Sequence, residues 1–209
     1  SKLLNRLEDI YKKSPRNANN IRPTSICYGS AIKAWAVSIE PPHRNNHNNK
    51  HKNHNHNNQH TNGAIEARRI LDRMLTAYSS GTNIRAKPTM ISFNSCLHAY
   101  SLRGMVQEVE ALLRKMETRC EDTDTKNQKR GIWLHPDVVS YTTCINAYAK
   151  SAGRKGAAAA KRADDLLQRM LRRYERTGDR RDMPNQYTFG SVISLHANSK
   201  SYKGAQNAQ

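Results

Sequence analysis

VVSYTTCINAY, residues 138–148, is one of four copies of a single phrase. The others are SICYGSAIKAW from Ser25, MISFNSCLHAY from Met90 and QYTFGSVISLH from Gln186. A proline stands shortly before each, at Pro23, Pro88, Pro136 and Pro184. Within the phrase, Tyr28, Ala31, Ile32 and Trp35 correspond to Phe93, Cys96, Leu97 and Tyr100, then to Tyr141, Cys144, Ile145 and Tyr148. These residues are spaced 0, +3, +4 and +7, which draws one apolar stripe along an α-helix. Such a stripe is core. Self-similarity at a spacing of tens of residues marks a repeat architecture.

A second phrase alternates with the first. Ala67, Ile70, Leu71, Met74 and Tyr78 recur as Val109, Leu112, Leu113 and Met116, and again as Ala163, Leu166, Leu167, Met170 and Tyr174. This too is one helix face. Leu3, Leu4, Leu7 and Tyr11 match the later part of the pattern, and GAQNAQ from Gly204 resembles GAIEAR from Gly63. The unit is therefore helix, turn, helix, connector. One helix pair cannot bury both stripes, so neighbours must stack into an all-α solenoid of helix-turn-helix repeats. The expected units are 25–89, 90–137 and 138–185, flanked by a truncated second helix and connector at 1–24 and a truncated repeat at 186–209. Successive prolines lie 65, 48 and 48 residues apart, because extra length enters the turns and connectors while helix phase is kept.

The unit resembles the pentatricopeptide repeat. PDVVSYTTCINAY from Pro136 is similar to the family's P-D-V-V-x-Y-N-x-L-I-x-x-Y junction. FNSCLHAYSLRGMVQEVEALLRKM from Phe93 continues into a second helix of the family's E-A-x-x-L-x-x-M kind. The tetratricopeptide pattern, W-x2-L-G-x2-Y with a late proline, is not found. The resemblance implies a right-handed α-solenoid superhelix that binds single-stranded RNA, one base per repeat, read by two or three side chains.

The readers that the resemblance implies are the residue after the aromatic and the last residue of the repeat, with an apolar wedge two residues before the aromatic. Carried over, the unit 90–137 reads with Asn94 and Asp137, and the unit 138–185 with Thr142 and Asn185. The wedges are Ile26, Ile91, Val139 and Tyr187. By the same resemblance Asn with Asp favours uracil and Thr with Asn favours adenine, a footprint of 5′-UA-3′. Thr24, Gly29, Thr89 and Gly190 stand at weak or degenerate reader positions, since glycine has no side chain to offer a base. The chemistry suits the roles: Asn94 offers both a donor and an acceptor, and Asp137 is an acceptor-only neighbour that can orient it. The competing reading makes Asn94 and Thr142 helix N-terminal capping residues, and under it Asp137 and Asn185 have no explanation.

Charge points the same way. The chain carries 35 Lys and Arg against 17 Asp and Glu, a net charge of +18, with a pI near 10.1. Each arginine alone reads as part of a solvated helix face, but an excess this large is beyond what solubility needs and attracts polyanions. Lys161, Arg162, Arg169, Arg172, Arg173, Arg176, Arg180 and Arg181 crowd one helix and its connector, diluted by Asp164, Asp165, Glu175 and Asp179.

Other features carry less. PPHRNNHNNKHKNHNHNNQHTN from Pro41 to Asn62 holds six of the nine histidines. His-rich tracts can bind zinc or copper, but nothing here fixes a geometry, and the tract reads as a disordered insert at about 41–62 between two helices. No metal site and no cofactor is expected. Cys96 and Cys144 share a core position, Cys27 faces the start of a helix, and Cys120 ends another. None forms a C-x-x-C pair, and buried free thiols suit a reducing compartment. No apolar run is long enough to span a membrane.

No hydrolase, zincin or nucleotide-binding motif appears, so no enzyme activity is expected of these residues. His98, His135 and His196 are scattered, without a consistent partner. The reading is a monomeric RNA binder with no small-molecule substrate, acting in RNA processing, stability or translation. Two alternatives stay open: the RNA-gripping arm of a protein-only RNase P, holding a transfer RNA precursor, or a helical scaffold for protein partners. The resemblance implies a mitochondrion or plastid as the compartment.

Overall fold

The structure is a computed structural model that describes residues 2–13, 22–38, 62–121, 135–151 and 156–206. Among the described residues there are eight α-helices and no strand: α1 Lys2–Lys13, α2 Ser25–Val37, α3 Asn62–Ser79, α4 Met90–Leu102, α5 Val106–Glu121, α6 Val138–Ser151, α7 Gly156–Thr177 and α8 Gln186–Gln206. A short 3-10 turn, Arg180–Asp182, joins α7 to α8.

The helices form two rows. In one row α2, α4, α6 and α8 pack side by side in chain order. In the other, α3, α5 and α7 each pack against the helix before and the helix after. Each helix of the second row thus seals the groove between two of the first, and this is how stacking buries both apolar stripes. The stripes meet in one continuous core. Phe93, Cys96, Leu97 and Tyr100 are buried with Tyr141, Cys144, Ile145 and Tyr148, and Val109, Leu112, Leu113 and Met116 close over them. Leu97 is fully buried, so truncating it to Ala costs about 2–5 kcal/mol.

Local signals account for the breaks between helices. Gly104 takes φ +63° in the turn between α4 and α5, and Gly178 takes φ +65° just past α7, a left-handed conformation that glycine adopts without strain. Arg103 steadies the first of these corners. Its guanidinium donates to the carbonyls of Ala99 at 3.0 Å, Ala36 at 3.2 Å and Ser38 at 3.1 Å, so one side chain caps the ends of both α2 and α4.

Two expectations change. Leu3, placed on the apolar face of α1, is 81% exposed, whereas Leu4 is buried. Gly204 does not begin a new helix: α8 runs through it to Gln206, because a lone glycine costs only about 1 kcal/mol in a helix and no proline interrupts. The Asn/His tract lies outside the described residues, except that Asn62 already belongs to α3.

Candidate nucleic-acid interface

The N-terminal ends of α2, α4, α6 and α8 lie in one row, so the recurring phrase displays the same positions side by side. Ile26, Ile91, Val139 and Tyr187 form the outermost line, 51–76% exposed. Isolated apolar residues are common on a surface, but here they repeat at one helical position. Asn94 and Thr142 stand three residues further along their helices, on the same face.

Between these lines sits a layer of hydroxyl groups that the sequence reading did not single out. Ser92, Ser140 and Thr188 stand between the exposed wedge and the aromatic, which is buried at Phe93 and Tyr141 and exposed at Phe189, and all three are fully buried. The Ser140 hydroxyl lies 2.7 Å from Asn94 Oδ1 and 2.9 Å from Asp137 Oδ1. The Asn94 amide donates to both Asp137 oxygens at 3.2 and 3.3 Å. The structure therefore brings Asn94 and Asp137 into direct contact, although 43 residues separate them. In the next unit the Thr142 and Thr188 hydroxyls are 2.8 Å apart, and Thr188 Oγ1 lies 3.2 Å from Asn185 Oδ1. Thr188 joins Thr142 to Asn185. The sequence signal for this layer was a small polar or thiol residue at one place in every copy: Cys27, Ser92, Ser140, Thr188.

The last residue of each unit is a helix cap. Asp137 Oδ1 accepts the backbone N–H of Ser140 at 2.9 Å, and Asn185 Oδ1 accepts those of Tyr187 and Thr188 at 3.0 and 3.1 Å. Thr89 caps α4 in the same way, through the N–H of Ser92. Thr24 holds that place before α2 without a side-chain cap bond, its hydroxyl lying 3.5 Å from Cys27 Sγ. Capping is thus the reverse of what the competing reading assigned. Asn94 and Thr142 lie inside their helices, and capping falls on Asp137 and Asn185, the residues it was expected to leave unexplained.

The two glycine positions of the row each have room for a Cβ. A Cβ at Gly29 would meet only Ser92 Oγ at 3.9 Å, and one at Gly190 would meet nothing within 4 Å. His98 and Lys150 lie along the row further from the helix starts, and burial first, then Lys150 and Arg103, hold the His98 imidazole below its ordinary pKa. His196 does have a partner, its Nε2 lying 2.9 Å from both Asp164 oxygens.

Behind the row, a second recurring group links three helices. Glu117 of α5 accepts from the Tyr141 hydroxyl of α6 at 2.7 Å and from Arg169 of α7. Glu8 of α1, Tyr28 of α2 at 2.7 Å and Arg73 of α3 repeat it. Burial and the neighbouring carboxylate push both tyrosines well above the usual phenol range, so each stays a hydrogen-bond donor. At the other two junctions the Glu–Tyr pair is replaced by Leu75 with Phe93 and by Leu171 with Phe189.

Residues 91–120 match the family model described as PPR repeat. No curated protein and no solved structure matches the chain. The matched stretch spans nearly all of α4 and α5, and its packed helix pair is consistent with that repeat. The match supports a pentatricopeptide repeat protein, from a family whose repeats typically bind RNA.

Proposed function

We propose that this chain binds single-stranded RNA along the row of first-helix N-termini, one base per repeat, with Asn94 and Asp137 reading uracil and Thr142 and Asn185 reading adenine. What carries the reading is the pair of hydrogen-bonded clusters, Asn94–Ser140–Asp137 and Thr142–Thr188–Asn185, lying beside the exposed strip Ile26, Ile91, Val139 and Tyr187. The repeats continue as a right-handed superhelix, so the strip follows the strand.

Hydrogen-bond accounting supports the base assignments. Asn94 uses one amide proton on Asp137, which leaves the other proton and one carbonyl lone pair for the edge of a base. Uracil offers both an acceptor and a donor to such a pair. Asn185 Oδ1 accepts two backbone protons, so it is the carbonyl oxygen, and the Thr188 hydroxyl donates to it. Thr142 must then donate to Thr188, which leaves it an acceptor. An acceptor suits the exocyclic amine of adenine. The wedges pack on base faces, which have no hydrogen bonds to offer. In this reading the protein acts in an organelle on RNA processing, stability or translation.

The test is a titration of labelled single-stranded RNA carrying UA, at several salt concentrations, against an unrelated polyanion such as dextran sulfate. A strand binder loses affinity steeply with salt, with a log–log slope of about −0.7 per phosphate contacted. It also prefers UA-containing RNA. Equal, weak binding of RNA and dextran sulfate, with no dependence on sequence, would leave a protein scaffold as the better account.

A further inference from the structure

The Glu–Tyr–Arg group forms part of the wall of a cavity wherever it occurs. The cavity at Glu8, Tyr28 and Arg73 has a volume of about 660 Å³, and the one at Glu117, Tyr141 and Arg169 about 360 Å³. Equivalent second-helix positions line the two: Thr76 and Ala77 in the first, Arg172 and Arg173 in the second. Arg176 completes the second lining and corresponds to Ser80. At these three positions the first unit offers neutral side chains and the third offers arginines.

The charges within the second cavity are unevenly matched. Glu117 is answered by Arg169, and the nearly buried Arg173 by Asp182 at 2.9 Å. Arg172 and Arg176 form no ion pair among the described residues, although both line the cavity. Two guanidiniums one helical turn apart present planar forks of donors toward one space, the arrangement that recognises phosphate oxygens. The volume lies within the range of small-ligand sites, enough for a phosphate and the sugar that bears it. Tyr141 in the cavity wall is one helical turn from Asp137, and the carboxylates of Asp179, Asp182 and Asp137 all act on Arg181 nearby.

The geometry points to a phosphate-binding site in the cavity between α5, α6 and α7, with Arg172 and Arg176 as its anion ligands and Arg169 and Arg173 as their charged support. The phosphate belongs to a nucleic-acid strand or to a free phosphate-bearing molecule. The site's affinity for phosphate does not require that RNA bind along the row, so the two readings fail separately.

The experiment uses the whole chain and a double variant, Arg172→Thr with Arg176→Ser, which copies Thr76 and Ser80 of the first unit. Inorganic phosphate is titrated at constant ionic strength while the arginine Nε–H resonances are followed. A saturable shift of cavity resonances in the parent, absent from the variant, is expected. Labelled single-stranded RNA is then titrated against salt. If the phosphate comes from the strand, the variant's log–log slope is shallower by about 0.7 per lost contact. A control, Lys161→Thr with Arg162→Ser, removes two exposed charges from the other end of α7 and should leave the phosphate shift intact. A phosphate shift with an unchanged RNA slope also supports the site and assigns it to a small phosphate-bearing molecule. No saturable phosphate shift in the parent, or the same loss in the control as in the variant, overturns the proposal. If the parent binds no RNA, the phosphate titration alone decides the cavity.

Discussion

The units 25–89 and 138–185 share one skeleton and differ in chemistry at matched places. Both fix their first helix through a glutamate of one flanking helix, which accepts from that first helix's tyrosine and from an arginine of the other flanking helix. Around that common group the first unit has Ala77 and Ala86 where the third has Arg173 and Asp182, an ion pair with both side chains nearly buried. It has Thr76 and Ser80 where the third has Arg172 and Arg176, and Gly29 and Thr89 where the third has Thr142 and Asn185. The skeleton supplies stability, and the exchanged positions are where recognition is proposed. The first unit is the plain version of a device that the third elaborates.

The two units should diverge most at the ion pair. Asp182→Ala leaves Arg173 charged, nearly buried and without its carboxylate, which costs about 3–5 kcal/mol. Adding Arg173→Ala restores the Ala–Ala arrangement of the first unit, and the double variant should be clearly more stable than Asp182→Ala alone, because most of the cost of breaking a buried pair is the charge left without its partner. Urea denaturation of the three proteins measures this. A double variant as unstable as Asp182→Ala would show that the two units are not interchangeable.

A smaller effect is expected at the shared tyrosine. Glu117→Leu leaves the Tyr141 hydroxyl and Arg169 without their acceptor and costs about 1–3 kcal/mol. Tyr141→Phe added to it recreates the Leu75–Phe93 kind of junction and should recover about 1 kcal/mol, read as a coupling energy in a double-mutant cycle. Strict additivity would mean that the alternation of Glu–Tyr with Leu–Phe along the chain is accidental.

The helices and their buried faces were legible in the sequence because burial repeats with the helix period. Leu112 and Met116 could be matched to Leu166 and Met170 of the next unit because each pair holds the same offset, and all four are buried. The hydroxyl layer was harder to see. Ser140 between Val139 and Tyr141 reads as an ordinary polar residue, and its burial follows only from the neighbouring helix placing Asn94 over it. The Glu–Tyr–Arg group was hidden for the same reason, since Glu117, Tyr141 and Arg169 come from three helices and share no local period. Capping went to the wrong partner because Asn94 and Asp137 are both good cap types, and composition does not say which one stands outside the helix.

Base reading by the residues after the aromatics, together with the helix caps, stands or falls on one exchange. Thr142→Asn with Asn185→Asp turns the third unit's pair into that of the second, and the new carboxylate still caps α8, so the fold is kept. Binding of RNAs that differ only at the second base of the UA footprint measures the outcome. Preference should move from adenine to uracil by about tenfold, which is about 1.4 kcal/mol. An unchanged preference in a double variant of unchanged helicity would contradict base reading by this pair.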